Sequence, residues 1–414
     1  MSTSIVTREV TDRVKQTVLK HGDERLQTRM KQAEELVEVL GQLKGAAMKA
    51  GQLLSLEISD LLPPEVSQVL RQLHDRAPPA DIKVILEMIE GDLGDKASRL
   101  ENLSDEPIAS ASIGQVHSAT VDGKKVAVKV QYPGVKGSID TDLKLLRKLT
   151  ETALSVSGKK IDLGPFFEAL RESLANEVDY RKEAESLIVY KQAIASDIYI
   201  VPDVYTELSG EHVLTMSFEE GARINDWLQR DLSQAQRDHF GHLVVQLVLD
   251  ELFKHGLVQT DPNYGNFLYR QGPGQLVLLD FGATKSYTPE FRERFKKLLI
   301  LAYNRDREGV LKCLIEYEFL DERESDEVKD ILVNMVEHVI ATFREENQPF
   351  SYNNPQLLET LRSSSADLIK QAKFSPPANE MVFLNRKLGG MFHLLKEARA
   401  QINLHEYWLK VVDK

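Results

Sequence analysis

One stretch constrains this chain more than any other: residues 257–284 read LVQTDPNYGNFLYRQGPGQLVLLDFGAT. Asp261 stands five residues before Asn266, and the apolar run LVLLD then delivers a second aspartate, Asp280, to its end, followed by Phe281 and Gly282. Each piece alone has a plain structural use: an aspartate caps helices, an asparagine serves turns, and a carboxylate often closes a strand. Their order and spacing are the informative part. The carboxylate of Asp280 and the amide of Asn266 are hard oxygen donors of the kind Mg²⁺ takes alongside water and nucleotide phosphates.

Asp-x4-Asn followed by Asp-Phe-Gly is the spacing of a kinase catalytic loop and its metal-binding turn, in which the first Asp faces the acceptor. Such a site also needs a lysine on a strand. In KKVAVKV, Val126, Val128 and Val130 share one strand face, leaving Ala127 and Lys129 on the other, a small residue beside a phosphate-seeking ammonium. Alternating valine and lysine also describes an ordinary half-exposed strand, so Lys129 takes its weight from the downstream motifs. A glutamate on a helix must pair with that lysine. NEVDYRKEAES offers Glu177, Asp179, Glu183 and Glu185, read as one helix, and spacing does not rank Glu177 against Glu183.

Periodicity organises the rest. Leu36, Leu40, Leu43, Ala47, Ala50 and Leu54 form one apolar stripe over a helix at 24–59, closed by Pro63-Pro64. DIKVILEMIE is a second helix, and the glycine- and charge-rich GDLGDKASRLENLSDEP is a connection, with a boundary near residue 100. VHSATV and KKVAVKV flank Asp122-Gly123, a strong hairpin signal. Helices are expected at 138–155 and 165–195, strands at VPDVY and HVLTMSF, and a mostly helical remainder from 222 with a hairpin FLYR/QLVLLD around Gln271–Gly274. The expected domains are 1–100, a helical extension; 101–219, a β-rich lobe; and 220–414, a helical lobe.

With 414 residues, 42% hydrophobic, the chain has material for two or three units. A net charge of −12 argues against nucleic acid as a partner. The single cysteine, Cys313, excludes an internal disulfide and a cysteine-rich zinc site, and its apolar helical setting places it in a core. The first residues, with Glu9 and Asp12, lack the features of a secretory or transit segment. The richest apolar run, HLVVQLVLDELF, is too short to span a bilayer and is interrupted by Gln246 and Asp250. The expectation is a cytoplasmic chain whose membrane contact, at the inner face, is peripheral. Neither G-x-G-x-x-G nor G-x4-G-K-[ST] occurs, which disfavours dinucleotide-binding and P-loop enzymes.

Taken together, KAGQ, ASASIGQVH, VAVK, EVDYRKEAE, DPNYGN and DFGAT resemble the UbiB (AarF-type) family of atypical kinase-like proteins, especially its coenzyme Q-associated branch, from about residue 30 to the C-terminus. The resemblance implies an α+β, protein-kinase-like two-lobed fold with a β-rich N-lobe, a helical C-lobe and an N-terminal helical K-x-G-Q extension. It implies that Lys129 pairs with Glu183, that Asp261 is the proton acceptor, and that Asn266 and Asp280 ligate magnesium. Glu177 and Asp179 would form the family's E-x-D motif, and Met216, Phe218 and Glu219 would belong to the hinge touching adenine. Lys49 and Gln52, which share a helix face, would fold over the cleft as a regulatory element. The loop Ala109-Ser110-Ala111-Ser112, with Ile113 and Gly114, stands where typical kinases use glycines; its backbone amides and Ser112 are phosphate contacts. Ser110 departs from the family's alanine, and Gln259-Thr260 replace the His-x pair of many members.

The leading expectation is a Mg-dependent ATPase or small-molecule kinase supporting ubiquinone biosynthesis. Lipid or a quinone precursor and the quinone biosynthesis proteins are the partners the resemblance implies. A protein kinase and a non-catalytic nucleotide-sensing scaffold are the alternatives. GATKSYTPEFRERF passes so quickly into helix that it leaves little room for an activation segment.

Overall fold

A computed structural model describes residues 50–51, 80–111, 113–156, 163–354 and 379–412. In chain order the elements are α1 (Ile82–Leu93), β1 (Ala109–Ala111), β2 (Gly114–Val121), β3 (Lys124–Gln131), α2 (Val135–Val156), α3 (Gly164–Glu177), α4 (Tyr180–Ile194), β4 (Tyr199–Ile200), β5 (Val213–Ser217) and β6 (Ala222–Arg223). They continue with α5 (Ile224–Leu228), α6 (Gln234–Leu249), β7 (Leu257–Gln259), β8 (Phe267–Arg270), β9 (Gln275–Leu278), β10 (Thr284–Ser286), α7 (Pro289–Tyr303), α8 (Arg307–Glu316), α9 (Asp326–Ala341), β11 (Phe350–Ser351), α10 (Asn379–Ala398), β12 (Gln401–Ile402) and α11 (Leu404–Val412). The chain divides into two compact units: residues through Asp179 with Glu207–Thr215, and Tyr180–Thr206 with Met216 onward.

The first unit is built on a four-stranded sheet in the order β1-β2-β3-β5. Asp122 and Gly123 take φ of 49° and 75°, so the two-residue loop between Val121 and Lys124 twists with the strands, as a hairpin joined through an Asp-Gly pair requires. Ile85, Ile89 and Leu93 bury the apolar stripe of α1, and the Asp81 side chain accepts from the Lys83 amide to cap its start. The expected connection after DIKVILEMIE begins later than its glycines suggest. α1 runs through Gly91 to Leu93 because Leu93 belongs to the same buried stripe, and a 3₁₀ turn, Gly94–Arg99, follows.

In the second unit β4, β9, β8 and β6 form a small mixed sheet, with β8 and β9 joined by the expected turn. Trp227, Phe240 and Tyr269 pack ring on ring at 4.8 to 5.3 Å beneath it. A larger core runs through α7, α8 and α9 and includes Cys313 beside Leu298, Val310 and Trp408. Burial pushes the Cys313 thiol up to about 11, consistent with a packing role.

Two expectations are corrected. Residues 165–195 are not one helix: α3 stops at Glu177, Val178 and Asp179 leave the helical path, and α4 starts at Tyr180. The Val178 carbonyl is taken by the Gln131 side chain at 3.0 Å instead of by a following helical turn. VPDVY is not a regular strand either. Pairing is confined to Tyr199–Ile200 and an isolated bridge from Val204 to Met216, because Pro202 has no amide to donate to a ladder. Among the described residues no helix is long and apolar enough to cross a membrane.

Candidate active site

In the second unit the three oxygen-bearing residues are gathered by backbone pairing. At the end of α6 a π-helical turn, Asp250–His255, leads to Gly256, whose φ of 65° reverses the chain into β7. β7 pairs antiparallel with β10, Gln259 opposite Thr284. Past the strand ends, the Thr260 amide and hydroxyl both donate to the Ala283 carbonyl at 3.0 and 2.7 Å, and the Leu279 amide donates to the Asn266 carbonyl at 3.0 Å. Asp261, Asn266 and Asp280 therefore sit on two loops that are laced together on both sides.

Local hydrogen bonds shape each loop. Asn263 caps the 3₁₀ turn Tyr264–Asn266, accepting from the Gly265 amide at 2.9 Å, and the Asn266 amide nitrogen Nδ2 approaches the Asp261 carbonyl at 3.4 Å. Asp280 Oδ1 accepts from the Gly282 amide at 3.1 Å, which turns the chain after β9. Phe281 is fully buried against Tyr190 of α4, ring centroids 5.0 Å apart. A buried Asp261 and Asn266 beside a half-buried Asp280 supply the hard oxygen donor set that fits Mg²⁺ held jointly with phosphates.

The first unit carries the lysine. Lys129 is 5% exposed on β3, opposite Val116 of β2, while Ala127 on the same face stays half-buried. The alanine-rich loop is itself strand: Ala109, Ser110 and Ala111 pair with Val116, Gln115 and Gly114. Ser110 is exposed, Ala109 and Ala111 are half-buried, Ile113 and Gly114 are buried, and Ser112 lies outside the described residues. Gln115 has a structural task. Its amide accepts from and donates to the backbone of Ala80, at 2.9 and 3.3 Å, and donates to His117 at 2.9 Å, whose Nδ1 donates to the Ser104 carbonyl.

Glu177 ends α3 and Asp179 occupies the break, both in the first unit, whereas Glu183 is buried on α4 of the second; the reading of all of them on one helix is corrected accordingly. The bond from Gln131 to Val178 ties the E-x-D segment to the end of the lysine strand. Met216 is buried on β5, Phe218 follows, and the Glu219 carboxylate accepts from Ser217 and Arg270, both at 2.8 Å. Lys49 and Gln52 lie outside the described residues; Ala50 and Gly51 between them are buried.

Sequence reasoning missed a buried polar group directly behind the loops. Glu251, in the π-helical turn, and Lys387, in α10, are both 0% exposed and pair at 2.9 Å. Glu251 also accepts from the Tyr190 hydroxyl at 2.6 Å and the Gln259 amide at 3.0 Å. Burial, reinforced by that carboxylate, lifts the Tyr190 hydroxyl well above its ordinary range and keeps it a donor. One signal was visible: Lys387 interrupts the apolar stripe Leu384, Met391, Leu394, which a solvated lysine would not do.

Residues 72–314 match the model of the ABC1 atypical kinase-like domain. Over 384 residues the chain is 34% identical to the mitochondrial atypical kinase COQ8 of Schizosaccharomyces pombe, covering 90% of this chain and 61% of that protein. The mitochondrial atypical kinase coq-8 of Caenorhabditis elegans is 33% identical over 90% of this chain and 49% of its own length. The chain thus spans about half to two thirds of these curated relatives. Among solved structures, the Mycobacterium tuberculosis protein Rv3197, in complex with erythromycin, superposes with a TM-score of 0.62 at 25% identity, covering 93% of this chain and 97% of that one.

Proposed function

The chain belongs to the ABC1 atypical kinase-like family, of the UbiB and COQ8 type, and from that premise we propose that it binds Mg-ATP and transfers or hydrolyses the γ-phosphoryl group. The observation that supports this reading is the lacing of the Asp261–Asn266 loop to the Asp280-Phe-Gly turn, which holds these three oxygen-bearing side chains on one hydrogen-bonded frame. In this reading Asn266 and Asp280 hold Mg²⁺, which when bound neutralises charge developing on the phosphates. Asp261 accepts the proton of the attacking hydroxyl or water. Lys129 is the phosphate-contacting lysine, Glu183 the helix glutamate of the family pattern, the backbone from Met216 to Glu219 the adenine-contacting segment, and residues 109–114 the phosphate loop.

Only Ala283–Thr288, half of it β10, separates the Asp-Phe-Gly turn from α7. That leaves no long segment on which a protein substrate could dock and favours a small acceptor or water. By kinship with the COQ8 proteins, the proposed role is support of ubiquinone biosynthesis, with a quinone precursor, lipid and the biosynthetic proteins as partners.

The test is Mg-dependent ATP hydrolysis by the purified chain, alone and with anionic vesicles or a phenolic mimic of a quinone precursor. Turnover that rises with these additives supports the reading. Nucleotide binding with no turnover under any of them would replace it with a nucleotide-sensing scaffold.

A further inference from the structure

The helix that meets the catalytic loop comes from 126 to 128 residues further along the chain. Along one face of α10, Arg386 Nε donates to the Thr260 carbonyl at 3.1 Å and Lys387 Nζ donates to Gln259 Oε1 at 3.4 Å. One turn on, Gly390 lies so close to Pro262 that a Cβ there would run into the proline ring. A further turn on, the His393 ring stands 6.2 Å from that of Tyr264. Helix positions 386, 387, 390 and 393, which lie within two turns, thus meet loop positions 260, 259, 262 and 264.

We propose that α10 is the template on which the catalytic loop is set, and that Lys387 is its positioning residue, acting through the Gln259 amide. An ammonium has only donors, so Gln259 must present Oε1 to Lys387. That leaves Nε2 to donate to the Asp280 carbonyl, which it does at 3.1 Å. A flipped amide would set two oxygens against each other at Asp280. Lys387 and the Asp280 carbonyl therefore select the same orientation of Gln259 from its two ends, and one side chain joins the catalytic loop to the Asp280 turn.

Glu251 makes this arrangement tenable in a dry interior. Its Oε1 accepts from Tyr190 and from the Gln259 backbone, and its Oε2 faces Lys387, so the pair is enclosed by further hydrogen bonds. A buried ion pair adds little net stability over apolar residues of the same volume. Its effect here is geometric: it holds both the backbone and the side chain of Gln259, the residue two before Asp261.

For its catalytic consequence the inference rests on the proposed Mg-ATP reading; for its geometry it does not. The test uses the full chain. Glu251→Gln with Lys387→Met removes both charges together, so no unpaired charge is left buried, and Gly390→Ala perturbs the same contact sterically; Asn385→Ala, exposed on α10, is the control. Amide hydrogen exchange without nucleotide is expected to quicken about tenfold or more in 259–266 and 280–283, while the 267–278 hairpin keeps its wild-type rate. A uniform change across both regions, or none, overturns the template. In the second arm the Mg²⁺ midpoint for nucleotide binding is expected to rise about 10- to 100-fold with Mg-free affinity unchanged. An unchanged midpoint overturns the positioning role of Lys387. A wild-type chain that ignores Mg²⁺ refutes the functional reading instead, and the exchange result still decides the template.

Discussion

The two units secure their functional strands by different chemistry. In the first, pinning groups are polar side chains that grip nearby main chain. Asp92, near the end of α1, accepts from the amides of Glu211, His212 and Val213 at 3.2, 2.8 and 3.0 Å, and Gln115 clasps the backbone of Ala80 on both sides. In the second, the loop with Asp261 rests on a buried Glu251–Lys387 pair contributed by a π-helical turn and a distant helix. A carboxylate capping amides loses a few hydrogen bonds when removed, whereas one member of an enclosed ion pair leaves an uncompensated charge behind. The difference teaches that the segments around the lysine strand are held by separate polar anchors and the Asp261 loop by an all-or-none one.

The contrast predicts a ranking of effects. Lys387→Met alone should cost about 3–5 kcal/mol in urea unfolding, because Glu251 stays buried without its cation, and adding Glu251→Gln should restore most of that loss. If the double variant is no more stable than the single, the two residues are not acting as a pair. Asp92→Ala should cost less, about 1–3 kcal/mol, for the amides it orphans. A loss equal to that of Lys387→Met would erase the distinction between the units.

Neighbouring glycines of α10 sharpen the second half of the comparison. Among the described residues nothing lies within 4 Å of a Cβ built at Gly389, while one at Gly390 meets Pro262. Gly389→Ala should be neutral or add up to about 1 kcal/mol through helix propensity, and Gly390→Ala should lose about 1–3 kcal/mol by overpacking. Equal melting temperatures for the two would mean that α10 does not press on the loop.

The smallest effect concerns pH. Burial foremost lowers the His242 pKa below its ordinary value, and its Nδ1 lies 2.9 Å from the Tyr407 hydroxyl. The unfolded chain then takes up the proton first, so this contribution to stability is present above about pH 6.5 and is lost as pH falls through the lower folded value. The melting temperature of wild type relative to His242→Asn should therefore be higher at pH 7.5 than at pH 5.5. A difference that grows on acidification would contradict this environment for the ring.

Motif spacing made the local structure legible before its supports. The hairpin at Asp122-Gly123 and the strands FLYR and QLVL are encoded within a few residues, and so are the loops carrying Asp261, Asn266 and Asp280. The break between Glu177 and Glu183 was not legible, because no glycine or proline marks it and it is stabilised by Gln131, 47 residues away. The α10 support was hidden for the same reason: the partners of Gln259 and Thr260 lie 128 and 126 residues downstream. Local chemistry writes turns into sequence, while a helix that props a loop leaves only a lysine where an apolar residue is due.

The central claim is that the Asp261–Asn266 loop and the Asp280 turn form a metal-nucleotide site. Titration of ATP into the full chain, with and without Mg²⁺, tests it most directly when wild type is compared with Asp280→Asn. Wild type should bind ATP more tightly with Mg²⁺, and Asp280→Asn should lose that gain while keeping its Mg-free affinity. A Mg²⁺ effect of the same size in both proteins would contradict the assignment.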